Sequence, residues 1–187
     1  MSQQKYDSRD IPYKRGDILD RNGTYIATSE KVYNLIIDPK QINGNQEDYL
    51  NATVSILSEV FGYSADELRS TIAEKSDSSY VKYAKDISYE QKTAFDEKKE
   101  EYNKSYKESK SSERVYGIWF EESYVRRYPY GSSACNVIGF ANNEDLSGNS
   151  GIEQYYNDQL IGVSGREYGY LNDESSLERV IKNPTDG

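Results

Sequence analysis

The spacing of apolar and polar residues changes along the chain from strand-like to helical and back to strand-like. Residues 18–19, 24–27 and 32–38 are short apolar or β-branched stretches separated by turn residues, which predicts two or three antiparallel strands. In residues 46–62 the apolar side chains recur at helical spacing, so this segment predicts a helix. Residues 115–130 are apolar and aromatic with near alternation, which predicts one long strand or a pair of strands.

Capping signals predict further helices. Ser64, with a glutamate three residues later, is expected to begin a helix that runs to about residue 75, and Ser88 is expected to begin another that runs to about residue 104. Residues 151–160 predict a short amphipathic helix with a carboxylate in its first turn. Residues 166–171 and 177–181 are expected to pair as a final hairpin.

The order of these elements predicts an α+β fold in which one subdomain is discontinuous. Residues 15–38 and 115–187 are expected to form an antiparallel, strand-based subdomain, and residues 39–114 an inserted helix-rich subdomain with more charge. Residues 1–14 are polar and are interpreted as a linker, in which Pro12 favours an extended entry into the first strand. The polar, uncapped ends suggest that other segments precede and follow this piece of chain.

Composition restricts the possible partners. The chain has 23 basic and 32 acidic residues, a formal net charge of −9, and no histidine. A surface of this sign repels the phosphate backbone, so nucleic acid is not an expected partner. Cys135 is the single cysteine, which excludes an internal disulfide. No apolar run approaches the roughly 20 residues that span a bilayer, so the chain by itself is expected to be soluble.

Nucleophilic catalysis lacks its usual partners in this sequence. Without histidine there is no ordinary general base for a Ser-His-Asp or Cys-His arrangement. The Ser-x-x-Lys pattern occurs at residues 2–5 and 79–82, a frequency that chance explains, and residues 147–149 read Ser-Gly-Asn. No Lys-Thr-Gly or Lys-Ser-Gly completes a penicillin-recognising set. We therefore expect no catalytic residue in this chain.

Other chemistry is weakly supported. Asp17 and Asp20, or the adjacent Glu121 and Glu122, could supply carboxylates to a glycoside hydrolase, but neighbouring strand residues face opposite sides. Residues 142–153 have the length of an EF-hand loop and the wrong residues at its fifth and sixth positions. No metal or cofactor is expected. An extracellular glycoside hydrolase that uses acidic residues, or a surface binding module, is the alternative interpretation.

Three separated segments, in the right order, resemble the motifs of the N-terminal non-catalytic region of class B penicillin-binding proteins. They cover both flanks of the chain and leave out residues 39–114. Arg126 could take the arginine position of the second motif in place of Arg127, and Asn136 stands where the family commonly has a histidine. The matching positions are Arg15, Gly16, Asp20, Arg21, Asn22 and Gly23 in the first segment; Arg127, Tyr128, Pro129 and Gly131 in the second; and Gly151, Glu153, Gly162 and Gly165 in the third.

The resemblance implies a pedestal, or dimerisation, domain of a peptidoglycan D,D-transpeptidase, with residues 39–114 as its head subdomain. In such proteins a transmembrane helix precedes this region and the transpeptidase domain, which carries the active serine, lysine and asparagine, follows it. The family works at the outer face of the cytoplasmic membrane. The implied partners are the protein's own transpeptidase domain and membrane helix, a SEDS-type glycan polymerase, division or elongation proteins, and a second copy in a homodimer.

The matched charged residues suggest a hypothesis about the fold. Arg15 and Arg21 from the first segment, and Arg127 from the second, could converge on Glu153 and Asp20. Such contacts would tie the N-terminal and C-terminal strands of the discontinuous subdomain together. A partly buried arginine–carboxylate group fixes geometry more than it adds net stability.

Overall fold

The computed structural model describes residues 6–44, 46–109, 113–131, 135–170 and 180–187. Strands and helices alternate irregularly, and every strand pairing with a defined register is antiparallel within this part of the chain. The predicted α+β class is therefore confirmed. The elements are β1 (Tyr6–Ile11), β2 (Ile18–Leu19), β3 (Tyr25–Ile37), α1 (Pro39–Gly44), α2 (Gln46–Phe61), α3 (Ala65–Glu74), β4 (Val81–Ile87), α4 (Tyr89–Ser109), β5 (Ile118–Arg127), α5 (Cys135–Ile138), α6 (Gly151–Tyr155), α7 (Asn157–Leu160), β6 (Gly165–Tyr170) and β7 (Val180–Lys182).

A three-stranded sheet in the order β1-β6-β7 contains residues that the sequence assigns to a linker. Ile11 pairs with Gly165 and Asp10 with Arg166, and these last two side chains form an ion pair at 2.9 Å. Strand β1 reads Tyr-Asp-Ser-Arg-Asp-Ile and lacks a hydrophobic face, so its strand character comes from backbone pairing with a distant segment. The loop predicted at residues 172–176, between β6 and β7, lies outside the described residues.

The second sheet is built around β3, which pairs with β2, β4 and β5. The sequence predicts a break between residues 27 and 32, but β3 runs unbroken for 13 residues. Polar side chains in the middle of the strand have partners from the N-terminal segment. The Thr28 hydroxyl donates to Asp17 at 2.7 Å, and the Ser29 hydroxyl donates to the Arg15 carbonyl at 3.1 Å.

The turn between β2 and β3 contains Asn22 and Gly23, and of these two only Gly23 has a positive φ. The Gly23 amide donates to the Asp20 carbonyl at 3.0 Å, and Gly23 has a φ of 82°, a conformation that glycine adopts at little cost. One carboxylate oxygen of Asp20 accepts from the amides of Asn22 at 2.7 Å and Thr24 at 2.9 Å. Asp20 therefore stabilises its own turn.

The chain divides into two compact units. One comprises the residues up to Val32 and those from Glu122 onward, and the other runs from Tyr33 to Glu121. The two boundaries fall within strands β3 and β5, whereas the predicted subdomain boundaries are at residues 38/39 and 114/115, where the sequence pattern changes. Because both strands continue across these points, periodicity could not mark them.

The unit from Tyr33 to Glu121 has its own hydrophobic core. Apolar residues of α2 and α3, such as Leu57 and Ile72, are fully buried together with Leu35 of β3. The predicted capping serines begin their helices. Ser64 accepts from the amide of Glu67 at 3.4 Å, and the Ser88 hydroxyl accepts from the Gln91 amide at 3.3 Å. Among the described helices, none combines the length and apolarity needed to cross a bilayer.

Candidate functional site

Three charged side chains meet in the interior of the unit that contains both chain flanks. Arg15 Nε donates to Glu153 Oε2 at 2.8 Å, and Arg126 Nε donates to Glu153 Oε1 at 2.7 Å. All three side chains are fully buried. We call this set the Arg15–Glu153–Arg126 cluster.

Arg15 uses the rest of its guanidinium to organise the segment around α6. Its Nη2 donates to the Glu153 carbonyl at 2.8 Å, and its Nη1 donates to the Leu146 carbonyl at 2.9 Å and to Asn157 Oδ1 at 3.0 Å. Leu146 has a φ of 57°, which is costly for a residue with a side chain, yet it is buried. The Arg15 hydrogen bond is one of the contacts that hold this strained carbonyl in place.

Arg126 connects the cluster to strand β3. Its Nη1 donates to Ser29 Oγ at 3.1 Å and to the Arg15 carbonyl at 3.4 Å, and its amide donates to Asn143 Oδ1 at 3.1 Å. Two guanidinium groups facing one carboxylate leave a formal charge of +1 in the interior. Hydroxyl, amide and carbonyl oxygens accept from Arg15 Nη1 and Nη2 and from Arg126 Nη1. Arg126 Nη2 is buried without a hydrogen-bond partner in the described part of the chain, which adds to the cost of burying this charge.

Tyr128 adds a fourth side chain to the cluster. Its hydroxyl donates to Glu153 Oε1 at 3.2 Å and accepts from the Ala141 amide at 2.8 Å. Burial raises the pKa of Tyr128, the Ala141 hydrogen bond opposes that shift, and the negative charge of Glu153 adds to it. The phenol therefore stays neutral and keeps its proton for the carboxylate.

The structure corrects the hypothesis about which residues meet Glu153. Arg127 lies on the surface, where its Nε donates to Glu30 at 2.6 Å, and Arg126 occupies the interior position. Adjacent residues on a strand point to opposite sides, so only one of the two arginines can face inward. Arg21 is exposed in the β2–β3 turn, and Asp20 binds the amides of that turn rather than a distant arginine.

The remaining positions of the three sequence motifs lie in turns or at places where two backbone segments come close together. The Gly131 amide donates to the Tyr128 carbonyl at 2.9 Å, which closes a turn that includes Pro129. A side chain at Gly151, Gly162 or Gly165 would overlap backbone atoms of residues 137–139, 185 or 182–184 respectively, and one at Gly16 would crowd residue 187. These glycines let separate segments approach closely.

We expect Gly139→Ala to destabilise the protein by at least about 2 kcal/mol, because the backbone there has a φ of 75° and a methyl group would overlap the Ser150 carbonyl. Gly44→Ala is the matched control, since its methyl group would meet open space, and its effect should stay within about 1 kcal/mol. Chemical denaturation of both variants checks this. Equal midpoints for the two would contradict the close approach of Gly139 and Ser150.

The site offers little to a metal ion. Within the described ranges, no group of three cysteine or acidic side chains has the arrangement to hold one. The one acidic residue of the Arg15–Glu153–Arg126 cluster is already neutralised by two guanidinium groups. Because its side chains are buried, the cluster cannot contact a solute. It can fix the positions of the backbone segments that it joins.

A family model described as "Penicillin-binding Protein dimerisation domain" matches residues 10–187. This range includes every member of the Arg15–Glu153–Arg126 cluster. The chain belongs to this family. The resemblance seen in the three sequence motifs is therefore confirmed, and the chain is a pedestal domain of the class B penicillin-binding protein type.

Relatives of this pedestal domain include a sporulation protein and a peptidoglycan D,D-transpeptidase. The chain is 31% identical over 160 residues to stage V sporulation protein D of Bacillus subtilis, covering 84% of the chain and 22% of that protein. It is 27% identical over 176 residues to the peptidoglycan D,D-transpeptidase FtsI of Buchnera aphidicola, covering 90% of the chain and 28% of that protein. The pedestal domain thus spans about a quarter of the length of these relatives.

Solved structures share the fold. Penicillin-binding protein 2X from Streptococcus thermophilus superposes with a TM-score of 0.67 at 22% identity, over 97% of the chain and 28% of that protein. Penicillin-binding protein PBP2 from Helicobacter pylori, in a complex with MreC, gives a TM-score of 0.60 at 20% identity, over 98% of the chain and 35% of that protein.

Several members of the site differ from the predicted residues. The motif allows Arg126 or Arg127 at its arginine position, and Arg126 lies two residues before Tyr128, which puts Arg126 and Tyr128 on one face of an extended strand. Asn157, Ser29 and the Leu146 carbonyl carried no signal, because each is an ordinary residue type whose role depends on the approach of an arginine.

Proposed function

We propose that this pedestal domain is the non-catalytic support of a class B penicillin-binding protein, and that the parent protein is a serine-type peptidoglycan D,D-transpeptidase. The observation that carries the proposal is the Arg15–Glu153–Arg126 cluster, at motif positions of the family. The domain would hold the transpeptidase domain at the outer face of the cytoplasmic membrane, beyond a membrane helix.

The burial of the cluster supports a structural role. The side chains of Arg15, Arg126 and Glu153 are fully buried, so a substrate could not touch them without local unfolding. The cluster joins Arg15 to Arg126 and Glu153, which are 111 and 138 positions away in sequence. A cross-link of this span favours a rigid unit, which is what positioning a second domain requires.

Asp17 and Asp20 do not supply the acid that the glycoside hydrolase alternative requires. A glycosidase needs one carboxylic acid with a raised pKa. The pKa of Asp17 is lowered, because the Thr28 hydroxyl and Lys14 together outweigh the upward effect of burial. The pKa of Asp20 is also lowered, chiefly by the amides of Thr24 and Asn22. Both groups are therefore stabilised as anions, which is the wrong state for a general acid.

The proposed partners follow from the relatives. One solved relative is a complex of PBP2 with MreC, which supports docking of cell-wall synthesis proteins on this kind of chain. We extend that to division or elongation proteins, a SEDS-type glycan polymerase and a second copy of the domain, as the family name suggests. The exposed tyrosines Tyr25, Tyr130 and Tyr155 give the surface the aromatic character common in interfaces.

Two assays test the catalytic part of the proposal. Incubation of this chain with a fluorescent penicillin should give no covalent label, whereas the full-length parent should be labelled. A peptidoglycan digestion assay should show no cleavage by the chain. Covalent labelling of the chain would overturn the assignment as a non-catalytic domain, and glycan cleavage would favour the hydrolase alternative.

Co-purification tests the docking part. The membrane-anchored parent with Glu153→Ala should still be acylated by penicillin in its catalytic domain, but it should lose its cell-wall synthesis partners from detergent extracts. Glu30→Ala, which removes an exposed ion pair, serves as the matched control and should retain them. Partner retention by the Glu153 variant would contradict a role of the cluster in docking.

A further inference from the structure

A cavity of about 440 Å³ lies next to the Arg15–Glu153–Arg126 cluster and has no part in the proposed support of the transpeptidase domain. Ile26 of β3 and Ile138 of α5 provide apolar walls. Tyr128, whose hydroxyl binds Glu153, lines it too. Ligand pockets in proteins measure roughly 300–1,000 Å³, so this cavity has room for a small ring compound.

Two aromatic side chains at the cavity are open to solvent. Tyr130 is 56% exposed and Phe140 is 55% exposed, and both line the cavity. Large apolar rings left this open at the mouth of a cavity are the groups that a ligand would cover. A ligand could therefore contact both rings without any change in the protein's fold.

Polar groups at the cavity are few and uncharged. Asn136 contributes an amide, and Ser150 contributes a hydroxyl that makes no capping hydrogen bond to α6, although Ser150 is its N-cap residue. None of the described residues that line the cavity carries a charge, in a chain whose net charge is −9. An anionic ligand would find no counter-charge here and would be repelled by the protein as a whole. A cationic ligand would likewise find no carboxylate among the described lining residues, so the cavity favours a neutral ligand.

We propose that this cavity binds an uncharged N-acetylhexosamine unit of a glycan chain. The C–H face of a pyranose ring carries slight positive charge, which favours contact with the negative face of an aromatic ring such as Tyr130 or Phe140. The acetamido methyl group matches the isoleucine walls, and the sugar hydroxyls match Asn136 and Ser150. The inference rests on the proposed function, because that location brings the domain to the cell-wall glycan.

The cluster explains why the cavity has a fixed shape. The Tyr128 hydroxyl donates one hydrogen bond to Glu153 and accepts another from the Ala141 amide, which fixes the orientation of the ring. The backbones of Gly139 and Ser150 lie so close together that residue 139 has no room for a side chain. A preformed site loses little conformational entropy when a ligand binds. Binding of a single sugar unit should nevertheless be weak, with a Kd on the order of 1 mM.

Titration of the isotope-labelled chain with tri-N-acetylchitotriose, followed by amide NMR shifts, tests the proposal. We expect saturable shifts at Gly131, Gly139 and Asn136, and no such shifts with maltotriose, which lacks acetamido groups. Phe140→Ala and Tyr130→Ala should each weaken binding about three- to tenfold. Tyr89→Ala, a 63% exposed tyrosine outside the cavity, is the control and should leave the Kd unchanged.

Three results would overturn the sugar site. They are the absence of saturable shifts, shifts confined to other residues, and an unchanged Kd in both aromatic variants whose spectra show a native fold. Equal response to maltotriose would remove the acetamido specificity and with it the assigned ligand. If a peptide from a partner protein shifted these same amides while the glycan did not, the cavity would be a protein-docking site. The penicillin-labelling and co-purification results do not depend on any of these outcomes.

Discussion

Glu153→Ala is expected to reduce the free energy of unfolding by about 3–5 kcal/mol, the cost of removing one partner from a buried ion pair. The substitution would leave the guanidinium groups of Arg15 and Arg126 in the interior with no carboxylate, and would take a partner from the Tyr128 hydroxyl. Urea unfolding monitored by circular dichroism measures the change, and the midpoint should fall clearly.

Glu30→Ala is the control for this experiment. Glu30 also binds an arginine, at 2.6 Å, but the two side chains are 53% and 56% exposed. Exposed pairs contribute at most about 1 kcal/mol, so the midpoint should hardly move. A Glu153 variant whose midpoint stays within error of the wild-type protein would show that the cluster does not hold this unit together.

The neighbouring arginines Arg126 and Arg127 should respond very differently to the same change. Arg126→Ala should cost about 2–4 kcal/mol, because it removes the hydrogen bonds of Arg126 to Glu153 and Ser29 and leaves a cavity, although Glu153 keeps its pair with Arg15. Arg127→Ala removes only an exposed pair and should cost less than about 1 kcal/mol. Differential scanning calorimetry of the two variants, prepared in parallel, measures the loss of stability at these adjacent positions of one strand.

The opposite ranking of these two variants would restore Arg127 to the inward position that the sequence motif suggested. Arg126→Lys refines the test, since lysine keeps the charge but cannot bind Glu153 and Ser29 together through one planar group. We expect the lysine variant to recover only part of the lost stability.

Burying the cluster carries a cost that apolar residues of the same volume would avoid. Its contribution is geometric, because each guanidinium fixes several acceptors at once. Arg15 alone contacts Glu153, Leu146 and Asn157, which lie on different turns of the segment around α6 and α7. For a domain proposed to support another domain, this definition of backbone positions matters more than net stability.

Local sequence signals determined helices α2, α3 and α4 well, whereas α1 was not predicted and the helix predicted at residues 151–160 is divided into α6 and α7. The prediction for residues 46–62 matches α2, and the serines at 64 and 88 begin α3 and α4, because periodicity and capping depend on residues only three or four positions apart. The Asn-Gly turn after β2 is local for the same reason. The motif segments also identified the family and the meeting of Arg15 with Glu153.

Long-range pairing decided the rest. Strand β1 has no apolar face and exists through β6, more than 150 residues away, so its own sequence indicated a linker. Strand β3 stays intact through polar residues because Arg15 and Asp17 supply their partners. The sequence by itself determined the fold class, the family and helices α2, α3 and α4. Only the tertiary structure decided that Arg126 rather than Arg127 faces Glu153, since the inward side of a strand depends on what packs against it.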